Sequence, residues 1–159
     1  MGINKKVLIA INIITFLTVL FECSCTQKQP NEFITYHENG NVEKKYKLKN
    51  GKKEGLCEVY YASGKLKGNL YFQNDLQTGK TEYYYPSGKL REIQYFEKGK
   101  RIDWDTTYHE NGAFQLISKY ENGKLQGDQF RYDTLNQLTD HAVFNQDTLV
   151  KFIPLIEKK

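Results

Sequence analysis

The sequence predicts an all-β protein: an elongated antiparallel β-meander, a single twisted sheet, built from about five repeats of 24 residues. A tyrosine recurs at this spacing, at Tyr36, Tyr60, Tyr84, Tyr108 and Tyr132. A turn residue, usually Gly, follows each tyrosine after four positions, and an apolar residue follows it after six. A fixed period of this length is typical of repeat arrays, whose copies stack on their neighbours. Frequent Tyr and Phe, with Gly at regular intervals, favour strands over helices.

The first turn of each repeat is predicted from its glycine. In the second copy, the strand-like run 56–61 is followed by a three-residue loop that ends at Gly64. The last position of such a loop requires the left-handed backbone conformation, which Gly adopts without steric cost. This loop places Tyr60 opposite Leu66. Alternation along the next strand then predicts one face that carries Tyr60 together with Leu66, Gly68, Leu70 and Phe72.

A second and longer turn, around residues 74–79, is predicted to return the chain into the next copy. Five copies give about ten strands in sequential order, and a strand spacing of about 4.8 Å makes the sheet about 45 Å long. The terminal copies are less regular, because Asn136 replaces Gly and Pro154 interrupts the last strand. The segments near Phe33 and from Leu149 to Ile156 are therefore predicted to cap the sheet.

The N-terminus predicts export and membrane attachment. Lys5 and Lys6 precede an apolar run, residues 7–21, that is short for a membrane span and suits a secretory signal. The run leads into two cysteines and resembles a bacterial lipoprotein signal, with Cys25 as the preferred lipidation site and Cys23 as the alternative. The predicted organisation is a signal segment at 1–25, a tether at 26–32, and a repeat domain at 33–156 with copies at 36–59, 60–83, 84–107, 108–131 and 132–155.

Such a chain is expected at the bacterial cell envelope, held to a membrane by its lipid. Plain secretion or an uncleaved signal anchor is the alternative. The net charge of +4 comes from basic and acidic residues that alternate instead of forming a block. This pattern favours a solvated sheet face over a nucleic-acid surface. Neither nucleic acid nor a small-molecule substrate is expected as a partner.

The sequence predicts neither a catalytic site nor a metal or cofactor site. His37 and His109 occupy the same repeat position, and six strands, roughly 29 Å, separate them. Cys57 is alone and is interpreted as a half-buried strand residue. Asp103 and Asp105 flank Trp104, and a carboxylate pair can do acid–base work. A polar sheet edge is the preferred interpretation of that pair.

The candidate partner-binding residues are aromatic. We predict that the tyrosines among them lie on the face opposite the repeating tyrosine column, where rigid amphipathic rings suit protein or glycan contact. The alternative is cross-strand aromatic pairing that holds the sheet together. The sole Trp is interpreted either as a binding hot spot or as a core plug. The candidates are Tyr61, Tyr71, Tyr83, Tyr85, Tyr95 and Trp104.

The repeated motif Tyr-x-x-x-Gly-Lys-Leu, as at 60–66 and 84–90, with the Asn-Gly-Lys turn at 122–124, resembles the MORN-repeat variant. Proteins with this arrangement are often called the YwqK-type antitoxin family, and the resemblance covers about residues 33–152. It implies a non-enzymatic protein that binds a protein partner, with a toxin as the named candidate. A structural or scaffold envelope lipoprotein is the alternative, and a glycan-binding surface module is a third interpretation.

Overall fold

The structure is a computed structural model that describes residues 31–155, and these residues form one open antiparallel sheet of 13 strands. The strands are β1 (Asn31–Tyr36), β2 (Val42–Lys49), β3 (Lys52–Lys53), β4 (Gly55–Tyr60), β5 (Leu66–Gln73), β6 (Leu76–Gln77), β7 (Gly79–Tyr84), β8 (Leu90–Glu97), β9 (Lys100–Tyr108), β10 (Phe114–Glu121), β11 (Lys124–Tyr132), β12 (Leu138–Asn145) and β13 (Thr148–Pro154). The predicted all-β meander is confirmed. The predicted signal segment and both lipidation candidates, Cys25 and Cys23, lie outside the described residues.

The strands follow chain order across the sheet, along the path β1-β2-β4-β5-β7-β8-β9-β10-β11-β12-β13. The short strands β3 and β6 pair with β2 and β5 and are the first parts of strands that continue as β4 and β7. The path therefore has eleven strand positions, one more than two per repeat would give. The additional strand is β1, which precedes the first copy and begins at Asn31, inside the predicted tether.

Two kinds of turn alternate along the meander. In the first kind, the Gly64 amide donates to the Tyr61 carbonyl at 2.8 Å, and Gly64 has a φ of 80°. This is the predicted loop with its left-handed glycine. The second turn was predicted to be longer, and this prediction was wrong. It has only two central residues, Asn74 and Asp75, with φ of 51° and 69°. Positive φ at both positions defines a type I′ turn, whose twist suits a tight hairpin.

The extra residues that suggested a longer turn lie in a bulge within the strand that follows. Between β8 and β9, Ile93 pairs with Thr106 and Tyr95 pairs with Ile102, so β9 contains two residues more than β8 over this interval. Asp103 lies inside the bulge with a φ of 62°. The equivalent positions of the other bulged strands also have positive φ, at Gly55, Gly79 and Gly127. Bulges bend a strand and increase its twist, so each repeat bends the sheet once more.

A second, one-residue bulge decides which side chains share a face. Val59 pairs with Gly68, but Tyr60 pairs with Leu66, so Lys67 is extra. Leu66 therefore shares a face with Tyr60, and the prediction that Gly68, Leu70 and Phe72 share that face was wrong. We call the side of Tyr60, Tyr84, Tyr108 and Tyr132 the tyrosine face. Its continuity shows in the Phe114 ring, which lies 5.6 Å from that of Tyr108 and 5.8 Å from that of Tyr132.

The opposite side, which we call the buried face, contains the core. Its most buried residues form one row across the strands, at Cys57, Thr81, Gln94, Asp105, Ser118 and Ala142. Residues 31–155 form a single layer, so this row is covered by larger side chains of the same face. Tyr83, for example, packs so closely on Gly68 that a β-carbon there would lie 2.6 Å from the Tyr83 ring.

The last strand departs from the repeat. Ser118 pairs with Gln129, but one copy later Ala142 pairs with Phe152 instead of Ile153. The shift arises because the β12–β13 bulge contains only one extra residue. A slip of one residue turns each side chain to the opposite face. The predicted caps, β1 and β13, are the edges of the sheet, but both expose apolar side chains, among them Ile34 and Phe152.

We predict that the bulge requires a left-handed residue. Gly79→Ala should lower the free energy of unfolding by about 1–2 kcal/mol, because a β-carbon disfavours this conformation even though no atom lies within 4 Å of it. Asp103→Gly, at the equivalent position, should raise it by about 0.5–1 kcal/mol. Chemical denaturation of the full-length protein measures both changes. Equal effects of the same sign would contradict the role of the bulge.

Candidate partner-binding surface

Two of the predicted binding tyrosines use their hydroxyl groups inside the protein. The Tyr61 hydroxyl donates to the Tyr84 carbonyl at 2.6 Å, and the Tyr85 hydroxyl donates to the Tyr108 carbonyl at 2.7 Å. Each bond joins the first turn of one repeat to the last strand residue before the first turn of the next. These two residues therefore hold consecutive hairpins together, through hydroxyl–carbonyl bonds instead of the aromatic pairing that the sequence left open.

The same bond recurs with histidine. His37 Nε2 lies 3.0 Å from the Tyr60 carbonyl, and His109 Nε2 lies 3.0 Å from the Tyr132 carbonyl. We call these four equivalent contacts the repeat clamps. Sequence reasoning missed them, although the column one residue after each repeating tyrosine contains a donor side chain in the first four copies. In the fifth copy Asp133 replaces the donor, and its carboxylate accepts from the amides of Leu135 and Gln137 in its own turn.

Tyr83 lies on the face that was predicted for it, opposite the repeating tyrosines. It does not form an open surface there, because it covers Gly68 and is only partly exposed. The Arg91 guanidinium lies 5.4 Å from the centre of its ring. Burial raises the pKa of the Tyr83 hydroxyl. Tyr83 is therefore part of the packing that closes the buried face.

The other three candidates lie together on the tyrosine face. Tyr71 pairs with Leu56, Tyr95 pairs with Lys80, and Trp104 pairs with Lys119. The predicted placement of Tyr71 and Tyr95 opposite the repeating tyrosines was wrong, because Leu56 and Lys80 alternate in phase with Tyr60 and Tyr84. In sheet order these side chains form a line across β4 to β10, which we call the aromatic–basic row: Leu56, Tyr71, Lys80, Tyr95, Trp104 and Lys119.

Among the apolar and aromatic side chains of this row, exposure is greatest at one end. Leu56 is 40% exposed and Tyr71 is 44% exposed, whereas Tyr95 and Trp104 are partly buried. At the other end, Trp104 contacts charge and aromatic rings: Lys119 Nζ lies 5.8 Å from its ring centre, and the Phe130 ring centre lies 6.4 Å away. His141 stacks on Phe130 at 4.7 Å. Trp104 is therefore a partly exposed ring held in place by its neighbours.

Comparison with known proteins identifies the repeat. The family model described as MORN repeat variant matches residues 30–50, 53–74 and 77–98. The segment 30–98 therefore contains three stretches similar to MORN repeat variants. Among curated proteins, none matches the chain. The structural repeat extends past the matched segments, because the same hairpins, bulges and repeat clamps continue through β11.

The buried face contains an unusual carboxylate. Asp105 is 5% exposed, and Arg101 Nη1 lies 3.1 Å from its Oδ2. Neither carboxylate oxygen receives a hydrogen bond of good geometry within the described residues. Burial raises the pKa of Asp105 to about 7, and the Arg101 charge opposes this shift. Asp103 is exposed, so the two aspartates that were considered as a pair occupy different environments.

The other residues that were considered as catalytic groups or metal ligands lie far apart or alone. His37 and His109 belong to separate repeat clamps, and Cys57 is only 4% exposed, more buried than was predicted. Among residues 31–155, no group of three or more His, Cys, Asp or Glu side chains is placed to hold a metal ion. None of the described residues forms a helix long and apolar enough to cross a membrane.

We predict that the repeat clamps stabilise the array. Tyr85→Phe removes the hydroxyl that bonds the Tyr108 carbonyl and should lower the free energy of unfolding by about 1 kcal/mol. The matched change Tyr71→Phe, at an exposed ring, should alter it by less than about 0.5 kcal/mol. Denaturation of both variants beside the native protein measures the difference, and equal losses would contradict a specific role for the clamp.

We predict that Asp105 makes stability depend on pH. The pKa of Asp105 in the fold is raised above that in the unfolded chain. Its ionisation therefore lowers the free energy of unfolding, an effect that is absent below about pH 4 and develops as pH rises towards 7. The full effect is about 4 kcal/mol above pH 7. Asp105→Asn should remove this dependence and raise stability at pH 8 more than at pH 4.

Unfolding free energies measured from pH 4 to pH 8 test this expectation. The matched variant is Asp103→Asn, which changes an exposed carboxylate on the same strand. It should leave the difference between pH 4 and pH 8 almost as it is in the native protein. If both variants have the same pH profile as the native protein, then folding does not raise the pKa of Asp105, and the expectation is contradicted.

Proposed function

We propose that this protein is a non-enzymatic binding protein that holds a protein partner on its tyrosine face. The observation that supports this function is the aromatic–basic row, in which Tyr71, Tyr95 and Trp104 align across consecutive strands. Aromatic rings held by a rigid sheet contribute large contact areas at low entropic cost. The repeats supply the same scaffold several times, and the side chains of the row differ from one copy to the next.

The two faces differ in what they offer to a partner. The buried face uses its aromatic and long side chains to cover its own core, as Tyr83 covers Gly68. The tyrosine face leaves Leu56 and Tyr71 substantially exposed beside each other. Lys80 and Lys119 lie in the same row. Glu82 Oε1 lies 2.6 Å from Lys80 Nζ and compensates its charge. A complementary partner therefore presents apolar groups with a carboxylate towards Lys119, since opposite charges steer association and fix the register of an interface.

We propose further that the protein acts at a bacterial cell envelope. The support is the sequence pattern of residues 1–25, which ends in two cysteines, with Cys25 as the lipidated residue and Cys23 as the alternative. A single acyl chain gives weak attachment by itself, so a stable tether requires more than one chain or a second contact. Secretion without lipid and an uncleaved signal anchor are the alternative arrangements.

The nature of the partner is a narrower proposal. The resemblance of the repeat motifs to the YwqK-type antitoxin family makes a toxin the first partner to test. A scaffold lipoprotein is the second candidate function, and the repeat clamps favour it, because equivalent bonds between successive copies produce a stiff, uniform spacer. A glycan-binding surface relies on the same exposed tyrosines as the first proposal.

We predict that partner binding depends on the aromatic–basic row. Tyr71→Ala and Trp104→Ala should each weaken binding by about 30-fold, as removal of an interface hot spot costs about 2 kcal/mol. The matched control is Tyr36→Ala, at a tyrosine that is 61% exposed on the edge strand β1. Quantitative affinity capture from membranes of the native organism, with full-length tagged protein, measures the three variants in parallel.

Co-expression separates an antitoxin from a scaffold. A captured protein that is toxic alone and harmless with this protein, but toxic again with the Tyr71→Ala and Trp104→Ala double variant, supports the antitoxin function. Recovery of envelope lipoproteins or glycan alone, without a toxic partner, supports the scaffold. Capture that is unchanged in the double variant contradicts binding through the row.

A further inference from the structure

The strand β13 is an edge strand with a large apolar exposure. Leu149 is 52% exposed, Val150 65% and Phe152 56%. At the other edge, Phe33 and Ile34 of β1 are 39% and 41% exposed. Long apolar edge strands pair readily with other chains, and natural proteins usually protect them with charge or with a covering segment. On β13 this protection consists of Lys151 and Pro154 only.

The outward-facing backbone groups of β13 follow from its bonding to β12. The Leu155 amide donates to the Thr139 carbonyl at 2.9 Å, so Leu155 points its backbone groups towards β12. Alternation along an antiparallel strand then directs the backbone of Ile153 towards β12 and that of Phe152 and Pro154 towards the free edge. Pro154 has no amide hydrogen. Phe152 therefore presents both a donor and an acceptor at the free edge.

The number of strands restricts how a second copy can add to the sheet. Successive strands are antiparallel and the path contains eleven positions, so the two edge strands, β1 and β13, run in the same direction. Joining β13 of one copy to β1 of the next by translation would give a parallel pair. Joining β13 to β13 by a two-fold rotation continues the antiparallel ladder and keeps each face on its own side.

We propose that β13 pairs with β13 of a second copy of this chain, across a two-fold axis at Phe152. In this register the two Phe152 residues exchange their backbone hydrogen bonds, and their rings meet on the buried face. Lys151 then lies opposite Ile153 of the second copy, so no like charges face each other. Val150 lies opposite Pro154. Pro154 has no amide hydrogen to donate, but its carbonyl can accept a hydrogen bond. The contact is isologous and closes as a dimer instead of a filament.

The one-residue slip of β13 makes this contact possible. Phe152 occupies the buried-face position opposite Ala142, where the regular repeat would have placed Ile153. Its ring therefore lies on the buried face, next to Ala142 at the end of the buried row. Two copies joined in this way would carry the buried-face row from one sheet into the other. The tyrosine faces, with the proposed partner surface, would lie together on the opposite side.

The test measures the oligomeric state of the full-length protein in detergent micelles by sedimentation velocity over a range of concentrations. The native protein should be a dimer at micromolar concentration. Phe152→Lys places two charges opposite each other and should weaken the dimer by at least about tenfold. Phe152→Pro removes the outward amide hydrogen without removing a bond to β12 and should also give monomer. Circular dichroism of each variant verifies that the sheet is retained.

Two matched variants make the result specific. Leu135→Lys, at a turn residue that is 76% exposed, and Ile34→Lys, on the other edge strand, should leave the dimer intact. A native protein that is monomeric at all concentrations overturns the proposal. So does a dimer that survives Phe152→Lys but is lost in Ile34→Lys, or an assembly that grows without limit. Binding of the protein partner by Phe152→Lys should remain, which separates this proposal from the function of the aromatic–basic row.

Discussion

A single-layer sheet has no second layer against which to bury its apolar residues, and this constraint governs residues 31–155. In the first four repeats, a two-residue bulge bends the strand that follows the type I′ turn, at Gly55, Gly79, Asp103 and Gly127. The bend brings large side chains of one face over the small ones, so that Thr81 has no exposed surface although nothing but its own sheet lies beside it. The glycines of the repeat are therefore the residues that give the sheet a core.

The remaining contacts keep successive bends in register. Each repeat clamp spans 23 residues and ends on the carbonyl of the next repeating tyrosine, so the first turns of adjacent copies move together. At the opposite ends of the strands, the Asp75 amide donates to the Lys53 carbonyl, and the Asp75 carboxylate accepts from the Lys53 amide. Bonds at both ends of the strands produce a stiff platform. A stiff platform suits an interface whose rings are ordered before the partner arrives.

The sequence predicted the period, the first turn and the order of the strands, because these depend on residues close together in the chain. It did not predict the faces. Whether Leu66 lies with Tyr60 or with Gly68 depends on a single bulged residue, and one residue inverts the pattern of a strand. The two-residue bulge was interpreted as a longer turn, since an irregular strand and a loop have similar composition.

The candidate site was predicted only in part for the same reason. The aromatic character of Tyr71, Tyr95 and Trp104 is evident from the sequence, but their common face and their alignment come from pairings across strands. The repeat clamps join residues 23 positions apart, and their side chains are His in two copies and Tyr in the other two, so the column does not resemble a conventional motif. Asp105 differs from its equivalents in other copies, Cys57 and Thr81, and sequence alone does not show that this column is the buried one.

One face of the sheet is a closed core, and the opposite face is the more exposed surface that we propose for partner binding. Residue-resolved hydroxyl-radical footprinting of the full-length protein tests it at two neighbouring residues of β4. Leu56 is 40% exposed on the tyrosine face, and Cys57 is 4% exposed on the buried face. We expect rapid modification of Leu56 and strong protection of Cys57, although a thiol is intrinsically the more reactive group. Rapid modification of Cys57 would show that the buried face is open to solvent, and it would contradict the closed core.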